Sequence, residues 1–159
     1  MQPLPQTIDL PETIDLPDLA ATERLAADLA RLARPGDAIL LEGPLGAGKT
    51  ALARAFLRAA ANDPALEVPS PTFTLVQEYE TRLGVIRHFD LWRLDGPAAM
   101  QELGWDEARD DIVLVEWPER LGMLRPADAL TVTLLPLQGD ARRAEISGWP
   151  GRRITGRTP

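Results

Sequence analysis

The pattern of apolar residues predicts three helices. In the first, Leu25, Leu29 and Leu32 are spaced to share one face of a helix, which the turn at 34–37 would end. In the second, Ala, Leu and Arg predominate until an Asn-Asp-Pro sequence stops the pattern. The third is a short segment in the middle of the chain. The predicted helices are therefore 18–33, 50–61 and 97–103.

Short apolar or alternating runs predict the strands. Ala38–Leu41 and Asp111–Glu116 are mostly apolar, as is typical of parallel strands buried on both faces. Thr72–Glu80 and Val85–Asp90 flank four turn residues and predict an antiparallel hairpin. Two closing strands are predicted at 129–135 and 142–147. The fold class predicted is a single α/β domain, layered α/β/α, with a mixed parallel and antiparallel sheet.

Both ends of the chain are predicted to lie outside this domain. The sequence Thr-Ile-Asp-Leu-Pro occurs twice, at 7–11 and 13–17. Proline brackets around an alternating pattern indicate a short edge strand in the second copy and a flexible duplicate in the first. We therefore expect the domain to span 14–150, with flexible segments at 1–13 and 151–159.

A glycine-rich loop between the first buried strand and the second helix carries the clearest chemistry. Residues 43–50, Gly-Pro-Leu-Gly-Ala-Gly-Lys-Thr, fit the phosphate-binding pattern G-x-x-x-x-G-K-[ST] at every fixed position. Lys49 is the only lysine among seventeen basic residues, and its compact ammonium suits a tight phosphate cradle better than an Arg fork. The strand–loop–helix context predicts a P-loop NTPase domain. The residues predicted to bind nucleotide here are Leu45, Gly46, Ala47, Gly48, Lys49, Thr50 and Ala51.

Two carboxylates are candidates for the metal and for hydrolysis. Glu116 follows four apolar residues at the end of a predicted strand, so it and the Thr50 hydroxyl are the predicted Mg²⁺ ligands, with a solvated carboxylate as the alternative. Asp90 also ends a strand and is predicted to orient the attacking water or to hold a metal-bound water, although a local cap or an ion pair with Arg93 would explain it too. Lys49, Asp90 and Glu116 are the catalytic candidates.

Two further features lie close to these acids in sequence. His88 is the only histidine, and without a companion ligand it is interpreted as packed or hydrogen-bonded rather than as a general base. Ser70-Pro71-Thr72-Phe73-Thr74 is rich in hydroxyls, and in an NTPase such a segment can sense the γ-phosphate. In a chain without the phosphate-binding loop, the segment at 70–74 would be interpreted simply as a turn.

Composition narrows the ligands and partners. The net charge of −7 argues against direct binding of nucleic acid, and the pairs at 142–143 and 152–153 are interpreted as solvated arginines. The absence of cysteine excludes disulfides and thiol chemistry. No membrane span or signal peptide is predicted. A single lysine leaves no N-K-x-D motif for guanine, so ATP is the preferred nucleotide.

Three further blocks, in this order and spacing, resemble the TsaE family. They are Ser70-Pro71-Thr72-Phe73-Thr74-Leu75-Val76, His88-Phe89-Asp90-Leu91-Trp92-Arg93, and Val115-Glu116-Trp117-Pro118-Glu119-Arg120-Leu121. The resemblance covers about 14–147. Pro44, Phe73 and Trp92 depart from the usual Asp, Tyr and Tyr of the family.

The resemblance implies a cytoplasmic ATPase that binds ATP with Mg²⁺ and hydrolyses it slowly alone. Such proteins act with the TsaB–TsaD complex, which places threonylcarbamoyl on the tRNA adenosine beside the anticodon. The resemblance implies that tRNA is contacted only through these partners. It implies no binding to DNA or to a membrane. By position, Thr50 and Glu116 would hold the metal and Asp90 would serve hydrolysis. Trp117 would lie next to the nucleotide, and Thr22 would approach the adenine.

Two other functions remain open from the sequence. A small-molecule kinase could have this size and loop, although no Arg-rich lid is evident in 94–110. A nucleotide-gated binding module with negligible turnover would carry much the same residues as a slow ATPase.

Overall fold

The computed structural model describes residues 7–9 and 12–155. The strands are β1 Thr7–Asp9, β2 Glu12–Leu16, β3 Ala38–Glu42, β4 Val76–Thr81, β5 Gly84–Asp90, β6 Ile112–Glu116, β7 Leu130–Pro136, β8 Arg142–Ser147 and β9 Arg153–Thr155. The α-helices are α1 Leu19–Leu32, α2 Lys49–Ala61 and α3 Trp105–Ala108, and 3₁₀ turns cover Pro97–Gln101 and Pro118–Leu124. No helix in the described part of the chain is long and apolar enough to cross a membrane.

Seven strands form one mixed sheet, in the order β2-β8-β7-β3-β6-β5-β4. The central strand β3 is parallel to both β6 and β7, and β6 is also parallel to β5. The β4–β5 hairpin and the β7–β8–β2 edge are antiparallel. The predicted mixed sheet of a single α/β domain is confirmed. Its parallel centre brings the carboxyl ends of β3, β5 and β6 to one edge.

The two central strands supply side chains to a separate core on each face of the sheet. In β3, Ile39 and Leu41 join the core beneath α1 and α2, whereas Ala38 and Leu40 face the opposite core. Strand β6 alternates in the same way. The second core is closed by α3 and the two 3₁₀ turns, through Trp105, Met100 and Leu121 among others. Burial on both faces explains why these strands are apolar almost throughout.

Several element boundaries differ from the predicted ones. The first hairpin strand begins at Val76 and not at Thr72, because residues 71–75 form a turn in which the Leu75 N–H donates to the Pro71 carbonyl at 2.7 Å. Leu75 has a φ of 69°, in the left-handed region and outside the range of regular strands. The pattern also missed α3 and the 3₁₀ turn after β6, which are too short to show a helical period.

The structure places parts of both chain ends in regular structure. Of the segments 1–13 and 151–159, which were predicted to be flexible, residues 1–6, 10–11 and 156–159 lie outside the described residues, whereas β1 in the first pairs antiparallel with β9 in the second. Ile154 is buried in the core beside α1, and the Arg152 guanidinium makes two hydrogen bonds to the Asp37 carboxylate, at 2.5 and 2.9 Å. The packed region therefore extends beyond residue 150. The repeat and its prolines indicated flexibility. The pairing of β1 with β9 joins residues far apart in sequence, so neither segment alone contains a pattern that predicts it.

Candidate nucleotide-binding site

The candidate site is a cavity of about 430 Å³ at the carboxyl edge of the parallel strands. This is where ligands bind in open α/β sheets. The loop after β3, the turn before β4 and the residues that follow β5 and β6 all contribute to it. The lining residues are Leu45, Gly46, Gly48, Lys49, Thr50, Ala51, Ser70, Thr72, Asp90, Trp92, Arg93, Glu116 and Trp117.

The phosphate-binding loop needs glycine where the backbone is tightest. A Cβ on Gly43 would come within 2.5 Å of the Leu134 carbonyl oxygen, so no larger residue fits there without movement. Gly48 has a φ of 102° and immediately precedes α2, which starts at Lys49. The helix therefore directs its N-terminal amides towards the cavity, an arrangement that favours anions.

Lys49 lies inside the loop and is only 5% exposed. Its ammonium donates to the carbonyls of Gly43 and Pro44, the latter at 3.3 Å. It also lies 3.4 Å from the centroid of a Trp117 ring, a cation–π contact. These partners hold the only ammonium side chain of the protein at the wall of the cavity.

The burial of Lys49 changes its acidity. Desolvation lowers the pKa of its ammonium below the ordinary value of 10.5. The negative charges of Glu116, Glu119 and Asp90 oppose this shift, in that order of size. An incoming polyphosphate would add negative charge close to the ammonium and favour its protonated form further.

Glu116 connects two other site residues. One oxygen, Oε1, accepts a hydrogen bond from the Thr50 hydroxyl at 2.7 Å, and the other, Oε2, lies 2.7 Å from His88 Nε2. Glu116 is 2% exposed and His88 is fully buried. The interpretation of His88 as a packed, hydrogen-bonded residue is confirmed, and the solvated alternative for Glu116 is wrong. Each carboxylate oxygen has its own partner, which fixes the orientation of the group.

The Thr50 and Glu116 oxygens fit Mg²⁺. Adjacent ligands of an octahedral Mg²⁺, each about 2.0–2.1 Å from the ion, stand about 2.9 Å apart, close to the 2.7 Å between Thr50 Oγ1 and Glu116 Oε1. No group of three His, Asp or Glu side chains capable of holding a metal occurs within 7–9 and 12–155. Mg²⁺ does not require one, since it usually keeps waters and binds one or two protein ligands together with substrate phosphates.

Asp90 lies beside Glu116, since the two residues are paired in register across β5 and β6. Its Oδ2 accepts from the hydroxyls of Ser70 and Thr72, both at 3.3 Å, and its Oδ1 accepts from the backbone N–H of Trp92 at 3.1 Å. The capping alternative is therefore part of what Asp90 does. The carboxylate ties the hydroxyl-rich turn to the cavity wall.

Aromatic rings lie in or next to the cavity: Trp92 and Trp117 line it, and Phe73 contacts Arg93, another lining residue. The rings of Trp92 and Trp117 have centroids 4.4 Å apart, and the Arg93 guanidinium lies 4.4 Å from the Phe73 ring centroid. Arg93 thus stacks on an aromatic ring, and the ion pair with Asp90 that the sequence left as an alternative does not form among the described residues. Trp117 has a φ of 58°, which aims its indole back towards Lys49.

Comparison with known proteins agrees with the geometry of this site. Residues 16–144 match the sequence model of the family described as "Threonylcarbamoyl adenosine biosynthesis protein TsaE". This chain belongs to the TsaE family. The matched range contains the whole cavity lining, so the resemblance seen in three sequence blocks extends across the domain.

Relatives within the TsaE family are similar over most of their length. A tRNA threonylcarbamoyladenosine biosynthesis protein TsaE of Rickettsia felis is 37% identical over 79% of this chain and 73% of its own. The protein of the same name from Haemophilus influenzae is 40% identical over 68% of each chain. Among solved structures, Bacillus subtilis YdiB superposes with a TM-score of 0.69, covering 98% of this chain and 90% of that one at 24% identity. At that identity the similarity concerns the fold.

Two of the residues predicted to bind nucleotide lie outside the cavity lining: Thr22, from the TsaE resemblance, and Ala47, from the loop pattern. Thr22 is buried on α1, with 6% exposure, while its neighbours Leu19 and Glu23 line a separate groove that meets the first cavity at Ala51. Ala47 belongs to the loop, but its methyl group is fully buried in the core. The remaining predicted loop residues, together with Asp90, Glu116 and Trp117, are brought together around one cavity.

The sequence analysis did not identify Arg142 as a site residue. Its side chain contacts the phosphate-binding loop from outside the cavity. Its guanidinium donates to the backbone carbonyls of Ala47 and Gly46, at 3.0 and 3.4 Å. Arg142 had been interpreted as half of a solvated pair with Arg143. Successive residues of a strand point to opposite sides; Arg142 lies on the same side of β8 as the buried Ala144 and Ile146, whereas Arg143 is exposed on the other.

Proposed function

We propose that this protein is a cytoplasmic Mg²⁺-dependent ATPase that supports a TsaB–TsaD complex in the threonylcarbamoylation of tRNA adenosine beside the anticodon. The relatives named above are tRNA threonylcarbamoyladenosine biosynthesis proteins, and the family description names the same product. The net charge of −7 supports contact with tRNA through partners, since the chain has no excess of positive charge with which to bind phosphates.

The observation that carries the proposal is the convergence of Lys49, Thr50 and Glu116 on one cavity. Lys49 and Thr50 begin α2, whereas Glu116 ends β6, and a 2.7 Å hydrogen bond joins Glu116 to Thr50 across 66 residues of sequence. A chance match to the loop pattern would not bring a buried carboxylate to the hydroxyl expected to bind the metal. The proposed chemistry thus rests on a tertiary contact as well as on the motif.

Each residue has a defined part in this mechanism. The loop amides would bind the phosphates, and the Lys49 ammonium would exchange its carbonyl partners for phosphate oxygens. Thr50 and Glu116 would hold Mg²⁺, which neutralises phosphate charge when bound. Asp90 would accept a hydrogen bond from the attacking water and orient it. All of these groups act by positioning and electrostatics, which supply most of the catalysis in phosphoryl transfer.

The three hydrogen bonds that Asp90 accepts favour the nucleotide-gated binding module as a second candidate. Both oxygens of Asp90 accept hydrogen bonds from the protein, so orienting a water would require the turn at 70–72 to shift or share its acceptor. If the turn stays in place, the same bonds would instead transmit the state of the nucleotide to the protein surface. Hydrolysis would then be very slow, and nucleotide-dependent complex formation would be the function.

A reconstituted modification assay tests the proposal. Purified TsaB, TsaD, tRNA and the threonylcarbamoyl donor are incubated with ATP and Mg²⁺, with or without this protein, and modified nucleoside is measured over many turnovers. Wild-type protein should sustain the reaction and release phosphate, and Glu116→Gln should not. The matched control is Glu102→Gln, an exposed glutamate that does not line the cavity.

The assay also separates the alternatives. Sustained modification without phosphate release would support the binding module. Transfer of labelled γ-phosphate to a metabolite instead of water would indicate a kinase. Binding of ATP with no effect on modification would refute the proposed role in tRNA modification and leave nucleotide binding intact.

A further inference from the structure

Arg142 joins two loops that are distant in sequence. Its Nη1 donates to the carbonyls of Gly139 and Ala141, at 3.1 and 2.9 Å, within the turn that connects β7 to β8. Its Nε and Nη2 reach across to Ala47 and Gly46 in the phosphate-binding loop. A half-buried guanidinium that makes four contacts with carbonyl oxygens holds both loops in fixed relation.

The contact with Ala47 determines which way the next amide points. A trans peptide unit is planar, and its carbonyl and N–H groups point in opposite directions. Because Arg142 holds the Ala47 carbonyl on the outer side of the loop, the Gly48 N–H of the same unit is directed to the opposite side. Gly48 lines the cavity. This amide is one of the donors expected to bind phosphate.

The geometry around Gly48 supports the same role. The nearest atom to a Cβ built on Gly48 is Arg142 Nε, at 3.8 Å, so the side chain packs directly behind this residue. The preceding peptide unit, between Gly46 and Ala47, is held at both ends. Its Gly46 carbonyl accepts from Arg142, and its Ala47 N–H donates to the Pro44 carbonyl at 3.1 Å. A positive charge on the carbonyl side also polarises the peptide and makes its N–H a stronger donor.

We propose that Arg142 is a positioning residue for nucleotide binding, which preorganises the Gly48 N–H to donate to the phosphates of ATP or ADP. The inference rests on the proposed function, because it assumes that the cavity binds nucleotide. Arg142 acts through the backbone of the loop and does not itself face the cavity.

Arg143 provides a matched control for the experiment. It is the adjacent residue, carries the same charge and is exposed, with an ion pair to Asp15 at 3.1 Å. Arg142→Gln and Arg143→Gln therefore change the net charge equally, but only the first removes the contacts with the loop. Arg142→Lys keeps the charge and the aliphatic stem while losing the planar fork.

The experiment combines calorimetry, kinetics and NMR on the full chain. Both Arg142 variants should bind ATP and ADP roughly 10- to 100-fold more weakly than wild type, which corresponds to the loss of a charge-assisted hydrogen bond, and Arg143→Gln should bind them normally. The KM for ATP should rise while kcat stays within about twofold, because the amide binds phosphate in both ground and transition states. In the protein without nucleotide, the ¹⁵N shift of Gly48 should move in the Arg142 variants, since it reports hydrogen bonding at the preceding carbonyl.

The outcomes distinguish this inference from the function on which it rests. An unchanged Gly48 ¹⁵N shift, or wild-type ATP affinity in Arg142→Lys, overturns the role of Arg142 even if wild-type protein binds ATP. An equal loss in Arg143→Gln also overturns it, as an effect of charge alone. If Arg142→Gln fails to fold, Arg142→Lys decides. A wild-type protein that binds no ATP refutes the proposed function, and the role of Arg142 in nucleotide binding with it.

Discussion

The hydroxyl of Thr50 donates a 2.7 Å hydrogen bond to Glu116 Oε1, and this contact joins the start of α2 to the end of β6. It exists because β3, which leads into the loop, lies parallel and next to β6, with Leu41 in register with Glu116. The two residues expected to hold a metal are thus placed by the central pair of strands, the most buried part of the sheet.

Removing either proposed metal ligand, Thr50 or Glu116, should abolish the Mg²⁺ dependence of nucleotide binding. Glu116→Gln keeps the shape of the side chain but removes the charge that favours a divalent cation. We expect it to lower Mg²⁺-ATP affinity by about tenfold or more and to leave metal-free ATP binding nearly unchanged. Thr50→Val should do the same, whereas Thr50→Ser keeps the hydroxyl and should behave as wild type. Calorimetric titrations with and without Mg²⁺ would measure this, and equal Mg²⁺ dependence in all variants would contradict it.

The lowered pKa of Lys49 predicts opposite pH effects on binding and stability. The folded protein releases the Lys49 proton at a pH below the ordinary 10.5, so ATP affinity should fall as pH rises through that range. The unfolded chain keeps the proton up to 10.5 and binds more protons there, so this residue should make the protein more stable as pH rises. Lys49→Met should remove both trends. Lys49→Arg should not restore ATP binding, because the fork does not fit the loop.

These trends are best measured as differences between wild type and Lys49→Met. Burial raises the pKa of Tyr79 above 10, so this phenol acts on stability with the opposite sign in a similar pH range. Urea unfolding and ATP titrations from neutral to alkaline pH would provide both quantities. Identical pH profiles for the two proteins would show that the Lys49 ammonium is not perturbed.

Asp90 should separate binding from hydrolysis. Asp90→Asn keeps one oxygen to accept from the Trp92 N–H and places an NH2 beside the Ser70 and Thr72 hydroxyls, which can accept from it. The charge is lost, so we expect ATP affinity within about threefold of wild type and hydrolysis reduced by about 10²-fold or more. Ser70→Ala combined with Thr72→Val leaves the carboxylate and removes the two donors. If hydrolysis survives in Asp90→Asn and complex assembly fails in the double variant, the turn acts as a nucleotide sensor and Asp90 is not catalytic.

The ion pair between Arg152 and Asp37 should stabilise the whole domain. Both side chains are largely buried, at 16% and 11% exposure, and the pair fastens the C-terminal segment to the turn after α1. Arg152→Ala leaves a carboxylate without its main partner and should lower the free energy of unfolding by about 2 kcal/mol. Arg143→Ala removes an exposed pair with Asp15 and should cost less than about 1 kcal/mol. Urea denaturation would measure the loss in free energy of unfolding for each variant. Equal losses would mean that burial does not strengthen the Arg152–Asp37 pair.

Aromatic contacts provide a spectroscopic test of the site. Trp117 contacts both Lys49 and Trp92, so its emission should change when Lys49 moves from backbone carbonyls to phosphate. We expect ATP or ADP to alter the fluorescence of wild type and of Trp92→Phe, and to have little effect on Trp117→Phe. A response that persists in Trp117→Phe would place the nucleotide elsewhere.

Local patterns were informative wherever one segment supplies its own signal. The loop at 43–50 is recognisable because glycine, lysine and hydroxyl positions are fixed within eight residues, and β3 and β6 are recognisable because both of their faces are buried. The apolar run that ends at Glu116 indicated a carboxylate at a strand terminus. These features depend on neighbours in sequence, and the pattern of residues therefore determined them.

Only the tertiary structure decided which distant groups meet. The order of strands placed Glu116 beside Thr50, and the register of β5 and β6 placed Asp90 next to it. The start of β8 placed Arg142 behind the loop. Thr22 shows the converse, since α1 buries it away from the cavity lining. Strand order and side-chain direction arise from packing across the whole sheet, and no single segment contains that information.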